Sequence, residues 1–165
     1  MPFKIGDQVV HPRHGVGTIT NLGNRQFEPG MSRAYYEVTI GNGTLWVPVD
    51  EPSLGLRQLT TRGELKRCGL ILESPPSQLD IAPRELREQL TQHLRDGSIQ
   101  AQCEVVRDLT ALGWRRPLQG SMAEFRRMAL SVLCEEWALV AEIPLQNAVD
   151  EIQAHLERGR QGLHG

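Results

Sequence analysis

The spacing of apolar residues changes at about residue 60, and this change limits the possible folds more than any other feature of the chain. Before it, apolar and polar residues alternate in short segments, with turn residues about every 8–12 positions. After it, apolar residues recur every three to four positions, as they do on one face of a helix. The pattern predicts an α+β chain of two domains, in which a small β-barrel is followed by an all-α helical bundle.

Two strands in the first part are joined by Gly41-Asn42-Gly43, because these residues tolerate the positive φ of a hairpin turn. Alternation predicts that positions 34, 36, 38 and 40, and then 45, 47 and 49, face the core. Trp46 is then predicted to face outward, together with Arg33 and Tyr35.

The second part predicts five helices, over residues 61–72, 84–96, 99–112, 121–141 and 144–158. Pro83 suits a helix start and Gly97 a helix stop. The spacing Ser121-x-x-Glu124 predicts a capping box, and Trp137 is predicted to lie in the core.

These patterns predict four segments. Residues 1–60 form the barrel, and 61–77 a short helix with a linker at Pro75-Pro76. Residues 78–158 form the helical bundle, and 159–165 a frayed tail.

Composition excludes several classes of protein. A net charge of −2 excludes a strongly basic nucleic-acid binder, so any contact with nucleic acid must depend on local patches. Three separated cysteines, Cys68, Cys103 and Cys134, indicate reduced, buried thiols and therefore the cytoplasm. No apolar run approaches the roughly 18 residues of a membrane span, and the N-terminus lacks a signal-peptide core.

Catalytic motifs are also missing from the sequence. It contains no phosphate-binding glycine loop, no nucleophile elbow and no HExxH. His11 and His14 are separated by Pro12, which breaks regular geometry, and no cysteine or carboxylate cluster supports a metal site. We therefore predict no enzyme activity, cofactor, metal or small-molecule substrate.

Several segments, taken in order, resemble the CarD/CdnL family of bacterial transcription regulators. They are Phe3 to Gly17, Arg33-Ala34-Tyr35-Tyr36, Val47-Pro48-Val49, Gly55-Leu56-Arg57, residues 94–97, residues 104–109 and, more loosely, residues 133–139. The family shares its first domain with the RNA polymerase interacting domain of transcription-repair coupling factors. The resemblance implies a Tudor-like barrel that binds the polymerase β subunit and a helical domain that contacts promoter DNA and stabilises the open complex. It also implies a cytoplasmic protein that reaches the nucleoid through polymerase.

The same resemblance implies specific polymerase-binding residues. Arg25 matches a basic residue near the end of the second strand, and Trp46 falls at or beside a contact position after the hairpin. Arginine can pair with a carboxylate through two hydrogen bonds, and an exposed tryptophan is a common interface anchor. Arg33 and Tyr35, on the same predicted face, complete the set.

The DNA-binding half departs from the family pattern. The tryptophan that wedges into the minor groove in many members corresponds to Pro83 here, so the wedge is missing. The remaining candidates for DNA contact are Trp114, Arg115, Arg116, Arg126, Arg127, Arg84 and Arg87. For Trp114, a position covering the bundle core is the alternative to a DNA contact.

A second hypothesis follows from the missing wedge and from the surplus of acidic residues after position 60. The chain would then be a polymerase-binding or other protein-interaction module with little or no DNA binding.

Overall fold

The structure is a computed structural model and describes residues 3–41, 43–50, 56–77 and 83–164. The strands in these ranges are β1 (Gln8–His11), β2 (Gly15–Glu28), β3 (Met31–Ile40), β4 (Gly43–Pro48) and β5 (Arg57–Gln58). The helices are α1 (Arg62–Glu73), α2 (Pro83–Asp96), α3 (Ile99–Arg115), α4 (Gly120–Ala141) and α5 (Leu145–His164).

The strands form one antiparallel sheet in the order β4-β3-β2-β1-β5. A sheet followed by helices confirms the α+β class. The predicted hairpin is also confirmed, since Ile40 pairs with Gly43, although Asn42 lies outside the described residues. Closure of the sheet into a barrel stays a prediction.

A β-bulge in β2 sets which side chains enter the sheet core. Ile19 pairs with Val38, whereas Asn21 pairs with Glu37, so Thr20 is an additional residue, and its hydroxyl donates to the Glu37 carbonyl at 3.2 Å. One additional residue reverses the alternation of side chains. Ile19 and Leu22 therefore both pack in the core despite their odd spacing.

Most of the predicted inward positions are correct: residues 36, 38 and 47 are buried, and 40, 45 and 49 pack partly against the same core. Ala34 is exposed instead, at a point where its partner on β2 is the polar Asn24. Tyr35 lies on the face opposite this core, as predicted, but only 9% of it is exposed. Its partner on β2 is Gly23, where an added Cβ would meet nothing within 4 Å.

Helix ends follow the sequence only in part. Gly97, at φ +74°, follows the end of α2 as predicted, but α3 continues past Leu112 and Gly113 to Arg115. The predicted capping box is wrong, because Gln119 is the N-cap of α4 and makes no side-chain capping bond. Ser121 instead accepts a hydrogen bond from Arg87.

The last helix is longer than predicted, because α5 continues through residues that were predicted to form a frayed tail. Gly159 lets the last part of α5 pack against α1. A Cβ at this position would lie 3.0 Å from the carbonyl oxygens of Leu72 and Glu73. Glycine therefore lets α5 approach the end of α1 closely.

The helices share a core to which α1 contributes Leu65, Cys68 and Leu72, so α1 packs with the later helices. Trp137 lies in this core, as predicted. All three cysteines are buried and form no disulfide, and burial raises the pKa of Cys134 to about 11. Within the described ranges, no helix is long and apolar enough to cross a membrane.

Candidate functional site

The face of the sheet opposite its core carries the predicted partner-binding residues of β3 and β4. We call it the outer face and define it by Arg33, Tyr35, Glu37 and Trp46. Trp46 is half-buried, and its Cα lies opposite that of Glu37. The structure therefore brings Trp46 onto the same face as Arg33 and Tyr35, but it leaves Tyr35 little exposed surface.

Arg33 keeps substantial solvent exposure on this face. Its Nε donates to Asp50 Oδ1 at 3.1 Å, and the two side chains are 40% and 66% exposed. Arg25 lies directly opposite Arg33 in the strand register, although the Arg25 side chain is outside the described residues.

A buried ion pair joins the sheet to the helices, and sequence reasoning missed it. Arg57 on β5 donates from Nη1 and Nη2 to the two carboxylate oxygens of Glu136 on α4, at 2.7 and 2.6 Å. Glu136 is fully buried, and its Oε2 also accepts from the backbone N–H of Thr60 at 2.8 Å. Arg57 Nε donates to the Gly97 carbonyl at 2.5 Å.

The neighbouring residue of α4 makes a second contact with the sheet. Glu135 Oε2 accepts from the backbone N–H of Val16 at 3.4 Å. A Cβ at Gly15, where φ is +96°, would lie 2.3 Å from the same oxygen. Two consecutive glutamates of α4 thus contact two different parts of the sheet. We use the term joint for Glu135 and Glu136 together with Arg57, Thr60 and Gly97.

The predicted DNA-contacting residues gather at one end of the helices. Arg87 in α2 donates to Ser121 in α4 at 3.0 Å, and the guanidinium of Arg160 in α5 lies 5.3 Å from the centre of the Trp114 ring. Arg126 donates to Thr110 at 3.1 Å. We call this region the basic end and define it by Arg84, Arg87, Trp114, Arg115, Arg116, Arg126, Arg127 and Arg160.

Sequence reasoning missed Arg160, because it fell in the predicted tail. Trp114 is half-buried, and the guanidinium of Arg160 lies over its ring. A cation over an indole ring is a favourable electrostatic contact.

Several arginines of the basic end already have acidic partners. Arg127 donates to Glu124 at 2.6 Å, and this contact lowers the pKa of Glu124 and raises that of Arg127. Arg84 lies 3.8 Å from Glu88. Arg115 and Arg116 are exposed at the end of α3. The Pro83 side chain lies outside the described residues.

The two histidines near the first turn lie close together, with ring centres 4.6 Å apart. Burial, assisted by His14 and Arg13, lowers the pKa of His11 to about 4. His11 Nδ1 also accepts from the Arg13 backbone N–H at 3.1 Å. Within the described ranges, no group of three or more His, Cys, Asp or Glu residues is placed to hold a metal ion.

Comparison with known proteins shows what the sheet-forming segment is similar to. Residues 3–60 match the family model of the CarD-like/TRCF RID domain. This match confirms the resemblance seen in the sequence and supports an RNA polymerase-interacting role.

A named relative extends the similarity into the helices. The chain is 27% identical over 143 residues to the Bacillus subtilis (strain 168) protein named "Putative transcription factor YdeB". The matched region covers 86% of this chain and 94% of the relative.

Proposed function

We propose that this protein is a CarD-like, non-enzymatic transcription regulator that acts in the cytoplasm. The N-terminal unit, a Tudor-like barrel in this proposal, binds the RNA polymerase β subunit through its outer face. The helical part contacts promoter DNA through the basic end and changes the stability of the open complex. The observation that carries the proposal is the outer face, which occurs within the segment that matches the polymerase-interacting family.

The outer face has the chemistry of a modest protein interface. Trp46 supplies a large, half-buried ring, and Arg33 supplies a guanidinium beside it on the neighbouring strand. Aromatic and arginine side chains contribute much of the free energy at such interfaces. Arg25, opposite Arg33 in register, would add a second donor for acidic groups of the β subunit.

A binding measurement with the isolated β-subunit fragment tests this surface. Trp46→Ala and Arg25→Ala are expected to weaken binding at least tenfold, which corresponds to about 1.4 kcal/mol each. Gln58→Ala is the matched control, since Gln58 is exposed on β5 at the opposite edge of the sheet. Unchanged affinity in both test variants, with folding intact, would rule out the outer face as the docking surface.

The basic end supports the DNA-contacting part of the proposal. Arginines from α2, the end of α3 and the start of α4 join the paired Trp114 and Arg160 in the basic end. Such a cluster can contact phosphates, and its affinity would fall as salt rises because bound counterions are released. Binding to forked promoter DNA is therefore expected to weaken with salt. Arg116→Gln is expected to reduce the slope by roughly one.

The second candidate is a protein-interaction module with little or no DNA binding. The pairing of Arg127 with Glu124 and of Arg84 with Glu88 favours it, because paired arginines are less available to phosphates. Absence of DNA binding at low salt, with β-fragment binding retained, would select this candidate.

A further inference from the structure

Within the joint, the Glu136 carboxylate makes most of the hydrogen bonds that link the sheet to the helices. Glu136 is fully buried and accepts three hydrogen bonds, two from Arg57 and one from Thr60. Arg57 is only 19% exposed and also donates to the Gly97 carbonyl between α2 and α3. Charge-assisted, two-point contacts of this kind are directional and stronger than neutral hydrogen bonds.

These contacts are made by the segment that connects the sheet to α1. Leu56 is buried in the sheet core, and Thr61 is the N-cap of α1, where its side chain accepts from the Glu64 backbone N–H. Between them, Arg57 and Thr60 are both bonded to Glu136. The segment that could act as a hinge between the sheet and the helices is therefore held near both of its ends.

The other contact between α4 and the sheet is weaker. Glu135 is exposed, and its bond to the Val16 N–H is 3.4 Å long. A long bond at an exposed site contributes less to orientation than a short bond at a buried one. Glu136 and Arg57 are thus the main polar link across the joint among the described residues.

We propose that Arg57 and Glu136 are positioning residues that fix the outer face and the basic end in one relative orientation, so that both engage a polymerase–promoter complex as one rigid body. This proposal rests on the proposed function. Two surfaces held at the correct separation and angle bind with a high effective concentration, whereas a loose connection lowers it.

The test uses the full-length chain with Arg57→Met and Glu136→Leu combined. Replacing both partners avoids leaving one buried charge unpaired, which would unfold the protein for an unrelated reason. Residual dipolar couplings measured by NMR report orientation directly. One alignment tensor is expected to fit the sheet and the helices in the unmodified protein, and two different tensors are expected in the variant.

Two binding measurements connect orientation with function. Affinity of the variant for the isolated β-subunit fragment is expected to stay unchanged, because the outer face is intact. The factor by which the protein raises the equilibrium constant for open-complex formation is expected to be about tenfold smaller for the variant. A general loss of structure would instead reduce both the affinity for the β-subunit fragment and the effect on the open complex, and this result would contradict the proposal.

The matched control is Arg62→Met with Glu142→Leu. This arginine–glutamate pair joins α1 to the C-cap of α4 at 3.2 Å, and its side chains are 66% and 80% exposed. It is expected to keep one tensor and full stabilisation of the open complex.

Two further results would overturn the proposal: a single, unchanged tensor in the folded Arg57→Met/Glu136→Leu variant, or two tensors with undiminished stabilisation of the open complex. If the unmodified protein binds neither the β fragment nor the polymerase–promoter complex, the proposed function fails. In that case a joint engagement of polymerase and promoter is also excluded, while the tensors still decide whether Arg57 and Glu136 set the orientation.

Discussion

The imidazole of His155 on α5 lies directly against Gly69 on α1. A Cβ at position 69 would come within 2.7 Å of His155 Cε1 and 2.9 Å of Nε2. The ring has little freedom to retreat, because its Nδ1 is 2.6 Å from Glu73 Oε2. Gly69 is therefore a close-contact position between two helices, even though glycine disfavours the interior of a helix.

Gly69→Ala is expected to lower the free energy of unfolding by about 1–3 kcal/mol, because the added methyl group overpacks this contact. Gly63→Ala is the control in the same helix, since its Cβ would meet nothing closer than 3.9 Å. That variant is expected to be neutral or stabilising by up to about 1 kcal/mol. Urea unfolding followed by circular dichroism measures both. A neutral Gly69→Ala would contradict the tight packing.

Removal of one member of the buried Arg57–Glu136 pair should destabilise the protein strongly. Glu136→Leu leaves the Arg57 guanidinium without its carboxylate in a site that is 19% exposed, and the expected loss is about 3–5 kcal/mol. Combining Glu136→Leu with Arg57→Met is expected to recover most of this loss. Denaturant unfolding of the single and double variants measures the free energy of unfolding of each. Equal stability of the two would mean that the unpaired charge carries no penalty.

Substitution of Gly15 tests the contact between Glu135 and the first turn. Gly15 and Gly6 both have φ +96°, but only at Gly15 would a Cβ meet another group, the Glu135 carboxylate. Alanine in a left-handed conformation costs about 1–2 kcal/mol at either position. Gly15→Ala is expected to cost several tenths of a kcal/mol more than Gly6→Ala.

The added cost at Gly15 has an internal control. In a Glu135→Ala background, Gly15→Ala and Gly6→Ala should lower the free energy of unfolding equally, as measured by thermal or urea unfolding. An excess that persists there would assign it to something other than the carboxylate.

The low pKa of His11 predicts a loss of stability in mild acid. Its pKa is about 4 in the folded chain against 6.5 when unfolded, so the unfolded state binds more protons between these values. Stability is therefore unaffected by His11 above about pH 6.5 and falls as the pH drops from there toward 4. Because the ring is only half-buried, screening reduces the expected loss to about 1–2 kcal/mol.

His11→Asn is the comparison, because an asparagine side-chain oxygen can also accept from the Arg13 N–H. Unfolding in urea at pH 7 and pH 4.5 should show a smaller loss of stability in this variant than in the unmodified chain. Equal losses in the two proteins would show that His11 does not titrate as expected.

Much of the fold was predictable because its signals are local. Alternation placed Tyr36, Val38 and Val47 in the sheet core, and helical spacing located all five helices. Gly97 marked the end of α2, since a left-handed residue there favours glycine over any other type. Gly113 carried the same signal but did not end α3, which continues to Arg115.

The order of motifs likewise revealed the family resemblance, and alternation placed Arg33, Tyr35 and Trp46 on one face before any contact was known. The sequence alone therefore determined the α+β class, the strand that carries Trp46 and the resemblance to polymerase-interacting proteins. Each of these depends on residues close together in the chain.

The tertiary structure decided the rest. It paired Arg57 with Glu136 across 79 positions, placed Arg160 over Trp114 and covered Tyr35. No local pattern specifies such contacts, because they depend on how separately formed elements pack and on which charges must find partners once water is excluded.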